Sequence, residues 1–199
     1  MTGPAGVLLA GGASRRFGRA KVIEPVEGAP LFQIALRALL DVCAEVAIVI
    51  APDSGDLPLP LGADRVRLVR DPIAFQGPLA GTLTGLRAVA GDYAVLAAAD
   101  MPGLRPELVR LMVDRAAADA AAIVLADTEG MRPLPAVLPI IPARRVGDEL
   151  IAKGERRLRA LIERLDAHAI PMSTWAAVDP AGAWRRDVDV PEDLPKRAS

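Results

Sequence analysis

Short apolar runs rich in valine and isoleucine alternate along this chain with longer segments of helical period, and no other feature restricts its fold so much. Strands joined through helices must lie parallel, because only a crossover of helical length returns the chain to the same edge of the sheet. Strands without clear polar alternation need cover on both faces. Strands are predicted at residues 5–10, 46–51, 66–69, 94–98, 121–126, 134–138 and 186–188, and helices at 30–42, 78–89, 106–117, 155–165 and 191–196. Four of these helices open on proline (Pro30, Pro78, Pro106 and Pro191), whose fixed φ and missing N–H suit a first helical turn. The expected fold class is α/β: three layers around a mostly parallel sheet, in one domain spanning 1–199.

A chain of 199 residues, 52% of them hydrophobic, can fill one core well but would leave two cores thin. Its 24 basic and 25 acidic residues nearly cancel, and no basic run could track a phosphate backbone, so nucleic acid is not the expected partner. With Cys43 as the sole cysteine, a disulfide framework and a thiolate metal cluster are excluded. Apolar runs such as 46–51 and 93–99 are too short to span a bilayer, so no membrane association is expected. Ser14-Arg15-Arg16-Phe17 superficially suggests a twin-arginine signal, but Gly18-Arg19-Ala20-Lys21 follows where an apolar stretch is needed, and a cytoplasmic location is expected.

Directly after the first strand comes LLAGGASRRFGRAK, Leu8 to Lys21, in which Gly11, Gly12 and Gly18 let the backbone turn tightly and present its N–H groups to an anion. Arg16 and Lys21 are spaced as expected for a loop wrapping a polyphosphate, the guanidinium gripping two oxygens and the ammonium acting as a point charge. Lysine occurs only at 21, 153 and 196, which sharpens the significance of Lys21. The spacing fits neither the P-loop nor the dinucleotide fingerprint, so a P-loop kinase and a dinucleotide dehydrogenase are disfavoured.

Ligands of open α/β sheets bind beyond the carboxyl ends of strands, and two aspartates fall there. Asp100 closes an apolar strand before Met101-Pro102 and is the expected Mg²⁺ ligand, since Mg²⁺ takes one or two hard carboxylate oxygens from protein and the rest from phosphate and water. Asp71, before Pro72, reads equally as a turn aspartate bonding its own backbone. In Gly77-Pro78-Leu79-Ala80-Gly81, glycines at 81 and 85 leave a smooth strip along a helix, open to close approach by a sheet or a flat ligand.

The segment LAGGASRRFGRAK resembles the signature L-A-G-G-x-S-x-R-M-G-x-x-K of the molybdenum cofactor guanylyltransferase family and its relatives among NTP transferases, with Phe17 replacing the usual methionine. That resemblance runs from Val7 to Leu194. It implies a three-layer Rossmann-like nucleotidyltransferase fold with a mostly parallel, mixed sheet, and transfer of GMP from GTP to the terminal phosphate of molybdenum-bearing molybdopterin. Arg16, Lys21 and Asp100 would be catalytic. Leu9, Ala10, Gly11, Gly12, Ser14, Lys21, Asp71, Gly77, Gly81 and Asp100 would hold the nucleotide, and Asp100 with Asp187 the Mg²⁺. Cofactor-delivery or apo-enzyme chaperone proteins are further implied partners.

Arg132-Pro133-Leu134-Pro135-Ala136-Val137 is similar to the family's P-L-x-A-V strand on the acceptor side, and Gly154-Glu155-Arg156-Arg157-Leu158 to its G-x-R-R-L helix start. Arg156 or Arg157 could grip an acceptor phosphate, or simply decorate a helix surface. Asp187-Val188-Asp189 replaces the asparagines usual in guanylyltransferases and looks more like the cytidylyl branch, and Asp189 with Glu192 reads as a capping box. Pro52 stands where an asparagine often approaches the base, leaving Asp53 as an alternative acceptor for the guanine edge. His168 and Cys43 lack partners at metal or triad spacing and are expected to be structural. Three alternatives stay open: the cytidylyltransferase of the same cofactor, transfer to a sugar phosphate or small phospho-acid, and a nucleotide-binding accessory protein without turnover.

Overall fold

The structure is a computed structural model describing residues 3–11, 21–26, 28–60, 63–72, 77–186 and 188, with the backbone alone at Lys21. Its strands are β1 (Ala5–Leu9), β2 (Pro25–Val26), β3 (Ala29–Pro30), β4 (Glu45–Ile50), β5 (Val66–Arg70), β6 (Tyr93–Ala98), β7 (Ile123–Asp127), β8 (Gly130–Pro139) and β9 (His168–Ile170). The helices are α1 (Leu31–Leu40), α2 (Pro78–Ala88), α3 (Pro106–Asp119), α4 (Ile140–Ala152), α5 (Leu158–Arg164) and α6 (Met172–Trp175). Seven strands form one sheet in the order β5-β4-β1-β6-β8-β7-β9, while β2 and β3 pair separately. Within the large sheet β8 alone runs against its neighbours β6 and β7, and every other pairing is parallel.

Alternation along each strand sorts the core into two layers. Leu8, Val46, Ile48, Ile50, Val95, Ala97, Ile123 and Leu125 face a cluster with α1, α3, Trp175 and Trp184. Val7, Ala47, Val49, Ala94, Leu96 and Val124 face a second cluster with α2, α4 and α5. The result is the expected three-layer Rossmann-like sandwich with a mostly parallel, mixed sheet.

Gly85 is the tightest point between α2 and the sheet. A Cβ there would lie 2.3 Å from Val7 Cγ1 and 3.0 Å from Val49 Cγ2, and both valines are β-branched and held in strands. Gly85→Ala is expected to destabilise by about 1–3 kcal/mol through overpacking, measured by chemical denaturation. An unchanged midpoint would show that the helix can slide off the sheet without cost.

The structure corrects the sequence reading in several places. The helix expected at 155–165 spans only Leu158–Arg164, and residues 155–157 form a segment before it in which Glu155 Oε1 accepts from the N–H of Arg156 at 2.8 Å and of Arg157 at 2.9 Å. Helix α4 was not expected, because Pro142 and Gly147 interrupt its pattern, yet Pro142 lies in the first turn where proline is tolerated. Gly147 brings α4 against Leu83 of α2, where a Cβ would meet Leu83 Cδ2 at 2.4 Å.

Strand β8 begins earlier than predicted and loses register with β7: Ala136 opposes Val124 but Arg132 opposes Leu125, so residues 133–135 bulge out. Pro133 and Pro135 have no N–H to give the ladder. The predicted strand at 186–188 is not seen at Arg186 or Val188. The edge position belongs to β9, a three-residue strand beside β7. The expected helix at 191–196 lies outside the described residues.

His168 does have a partner. Its Nδ1 lies 2.8 Å from Asp119 Oδ2, which also receives Arg115 Nε at 2.8 Å, and these bonds from His168 and Arg115 hold the Asp119 carboxyl below its ordinary range. The trio joins β9 to the end of α3, in keeping with a structural role. Burial pushes the Cys43 thiol up to about 12, so thiolate chemistry is suppressed there.

Candidate active site

The chain leaves β1, forms β4 and β5 on one side of it, and then returns to lay β6 on the other. Such a reversal opens a crevice at the carboxyl end of the first strand. The ladder continues past the strand ends and fixes that rim: Ala10 N–H donates to Val49 O at 2.8 Å, Ala99 N–H to Leu9 O at 2.9 Å, and Asp71 N–H to Ile50 O at 2.9 Å. Gly11 crosses the end of β4 so closely that a Cβ would lie 3.2 Å from Ala51 N.

On the β5 side, Asp71 has a partner outside its own turn. Its Oδ1 accepts from Thr84 Oγ1 at 3.3 Å, tying it to α2. A Cβ on Gly81 would meet Leu9 Cδ2 at 3.5 Å and Asp71 Oδ2 at 3.7 Å, so Leu9, Asp71 and Gly81 come together where β1 meets the first turns of α2. Those contacts are of ordinary length, and the smooth strip on α2 faces the sheet.

Gly77 caps α2 at φ +88°, in the left-handed region, with Arg156 O only 2.8 Å from the position of a Cβ. The same carbonyl accepts Leu79 N–H at 3.3 Å. Gly-Pro-Leu-Ala-Gly is thereby docked against Gly-Glu-Arg-Arg-Leu, a contact between distant segments that neither string announces.

Arg157 forms a fork with Glu155, Nε to Oε1 at 3.0 Å and NH2 to Oε2 at 2.6 Å. This pairing, with the backbone N–H groups of Arg157 and Arg156, lowers the Glu155 carboxyl to about 2. Arg157 is therefore committed locally. Arg70, just before Asp71, shapes the loop after β4 through Pro52 O at 3.1 Å, Ser54 O at 2.6 Å and Asp56 Oδ1 at 2.6 Å, leaving Asp53 exposed upon it.

On the β6 side, half-buried Asp100 precedes the turn at 101–104, which the Leu104 N–H closes onto Met101 O at 3.2 Å, with Met101 and Leu104 buried. The Asp100 carbonyl accepts Val188 N–H at 3.1 Å. Asp71 and Asp100 follow strands three spacings apart, about 14 Å. They cannot share one ion whose oxygens must lie near 2 Å.

Among the described residues no three His, Cys, Asp or Glu side chains cluster as a metal cage. Mg²⁺ needs none when a nucleotide supplies phosphate oxygens, so the hard carboxylate of Asp100 fits it. No helix among the described residues is long and apolar enough to cross a membrane.

This geometry agrees with comparisons to known proteins. The sequence profile of the MobA-like NTP transferase domain matches residues 6–169. The chain belongs to the MobA-like NTP transferases. Over 171 residues it is 38% identical to a probable molybdenum cofactor guanylyltransferase of Mycolicibacterium paratuberculosis, covering 83% of this chain and 84% of the relative. A protein of the same description from Mycobacterium tuberculosis is 38% identical over 174 residues, covering 85% and 84%.

Among solved structures, molybdopterin-guanine dinucleotide biosynthesis protein A from Archaeoglobus fulgidus superposes with a TM-score of 0.75 at 21% identity, covering 96% of this chain and 94% of that one. The 2-C-methyl-D-erythritol 4-phosphate cytidylyltransferase of Thermus thermophilus gives 0.68 at 16% identity, covering 94% of each. At these identities the likeness concerns the fold.

Of the residues expected to serve this NTP transferase, Leu9, Ala10, Gly11, Asp71, Gly77, Gly81 and Asp100 lie on one carboxyl rim of the sheet or at the facing end of α2. The backbone of Lys21 lies in the short 3₁₀ turn Lys21–Ile23. Gly12, Ser14, Arg16, Asp187 and Asp189 lie outside the described residues. Sequence reasoning missed Thr84 as the partner of Asp71, Arg156 O as the cap of α2, and the bond between Val188 and Asp100. None of these had a local signal, because each joins segments brought together only by the fold.

Proposed function

We propose that this NTP transferase, acting as a single cytoplasmic domain, moves GMP from GTP to the terminal phosphate of molybdenum-bearing molybdopterin. An oxygen of the acceptor phosphate attacks the α-phosphorus, the bond from that phosphorus to the oxygen bridging the β-phosphate breaks, and pyrophosphate leaves with the electron pair. The observation that carries this reading is the rim itself: in a chain of this family, the glycine-rich loop leaves β1 between Asp71 with α2 on one side and Asp100 on the other.

The acceptor phosphate is already anionic and needs no strong base, so catalysis reduces to alignment and charge neutralisation. Backbone N–H groups of the loop from Leu9 to Ser14 cradle the polyphosphate, Arg16 and Lys21 balance the charge gathering on pyrophosphate, and Asp71, Gly77 and Gly81 seat the nucleoside. Asp100, with Asp187 as a second ligand, would hold Mg²⁺. When bound, Mg²⁺ supplies Lewis-acid stabilisation of the phosphoryl oxygens. Delivery or apo-enzyme chaperone proteins would receive the product.

Asp187 and Pro52, where relatives often carry asparagine, favour testing the base directly. Pyrophosphate release from GTP and from CTP is compared with Mg²⁺ and metal-loaded molybdopterin. GTP-selective release is expected. CTP-selective release would assign the chain to cytidylyl transfer, and silence with both would remove this acceptor.

A further inference from the structure

Beyond the rim lies an open cleft of about 320 Å³ lined by Asp127, Glu129, Arg132, Gly182, Arg185 and Arg186, among others. It begins where β7 ends, and its height follows from register. Leu96 of β6 and Val124 of β7 both oppose Ala136 of β8. Three residues on, Ala99 and Asp127 stand level, so the cleft opens on the same carboxyl edge as Asp100. It is two strand spacings away, about 10 Å.

The charges of the cleft are not equivalent. Asp127 has a side chain only 2% exposed and receives Arg132 Nε at 2.7 Å and Glu129 N–H at 2.8 Å. Burial pushes its carboxyl up, but the bonds from Arg132 and from the Glu129 N–H, with the nearby charges of Arg132 and Arg185, outweigh burial and lower it. Arg132 also reaches Glu129 Oε2 at 2.5 Å, so one guanidinium serves both carboxylates and fixes the turn between β7 and β8.

Arg185 and Arg186 remain. Arg185 is preorganised, 5.6 Å over the Trp175 ring and bonded from Nε to Gly182 O at 3.3 Å. The exposed side chain of Arg186 makes no hydrogen bond or ion pair among the described residues. Arg186 is two residues before Val188, whose N–H is bound to Asp100 O, and two residues span at most about 7 Å. Arg186 thus stands between the cleft and Asp100.

An acceptor phosphate that attacks beside Asp100 cannot also occupy a cleft about 10 Å off. The geometry points to this cleft as the seat of a second anionic group of the acceptor, one other than its phosphate, since Arg185 and Arg186 offer it positive charge. For the acceptor proposed above, on which this inference rests, it is the dithiolene-bound oxo-molybdenum group, carried on the same ring as the phosphate arm and several bonds from the phosphorus. Arg186 grips it, with Arg185 as a fixed second cation.

Molybdopterin with and without bound molybdenum is titrated anaerobically into the wild-type protein, Arg185→Ala and Arg186→Ala, read by pterin fluorescence, with GTP binding and thermal melts alongside. Arg186→Ala should weaken the metal-loaded form about tenfold, the worth of one hydrogen bond to a charged group, and leave the metal-free form and GTP unchanged. Arg185→Ala should do the same with a lower melting point. Equal weakening of both forms, or none, overturns the assignment. Wild-type turnover with unchanged binding in Arg186→Ala removes the cleft and leaves the transferase reading standing. A wild-type protein that binds the loaded acceptor through Arg186 yet never releases pyrophosphate removes the transferase reading and keeps the cleft.

Discussion

Asp100→Asn is expected to lower pyrophosphate release by about a thousandfold, the loss found when a single charge-stabilising group is taken from a preorganised site. Asparagine has nearly the shape of aspartate, and the bond from Val188 N–H goes to the backbone carbonyl of residue 100, which the substitution retains. The fold should therefore survive, with a melting point near that of the wild type. What is lost is the negative, hard oxygen that Mg²⁺ prefers. A Mg²⁺ titration of the residual rate should shift to higher concentration, whereas a pure loss of acceptor positioning would leave the metal midpoint in place. Turnover within a few-fold of wild type would remove Asp100 from the metal site.

The same residue shows why much of this site was readable before any coordinates. Asp100, Asp71 and the loop from Leu9 follow short apolar strands, and period-two burial fixes where such strands stop to within a residue or two. Gly81 was legible because a glycine on a helix face permits close approach, whereas Gly77 entered only through the family resemblance and its left-handed cap was not read. Long-range contacts were not legible. Thr84 reaches Asp71 across 13 positions, and Arg156 O caps α2 from a segment 77 residues later, with nothing in either stretch to advertise the other.

Prolines misled in both directions. Pro142 and Gly147 concealed α4, which the packing of Leu83 against Gly147 helps to hold, and Pro133 with Pro135 concealed the bulge of β8 within a strand that continues on both sides. The strand expected at 186–188 was placed on alternation alone. Among the described residues there, Arg186 and Val188 lie outside any strand, and the link to the rim is the bond to Asp100.

That link supports a second large effect, expected at Gly103. A Cβ there would lie 1.9 Å from Ala183 O and 2.3 Å from Ala183 C, backbone atoms that cannot rotate away. Ala183 opens the 3₁₀ turn Ala183–Arg185, anchored by buried Trp184, which meets Trp175 edge to face at 5.6 Å and donates its backbone N–H to Asp179 Oδ2 at 3.1 Å. A methyl at 103 must push this turn outward or drag the loop carrying Asp100 inward. Gly103→Ala is therefore expected to cost about 1–3 kcal/mol, each kcal/mol lowering the melting point by about 2–4 °C in a chain of this size. It should also loosen the bond from Val188 to Asp100, so turnover should fall further than the lost stability explains. Comparing GTP binding with pyrophosphate release at a temperature where the variant remains folded separates the two effects. Near-normal GTP binding with turnover reduced at least tenfold would show that the C-terminal segment sets the position of Asp100. Parallel losses in binding and turnover would reduce Gly103 to a packing residue.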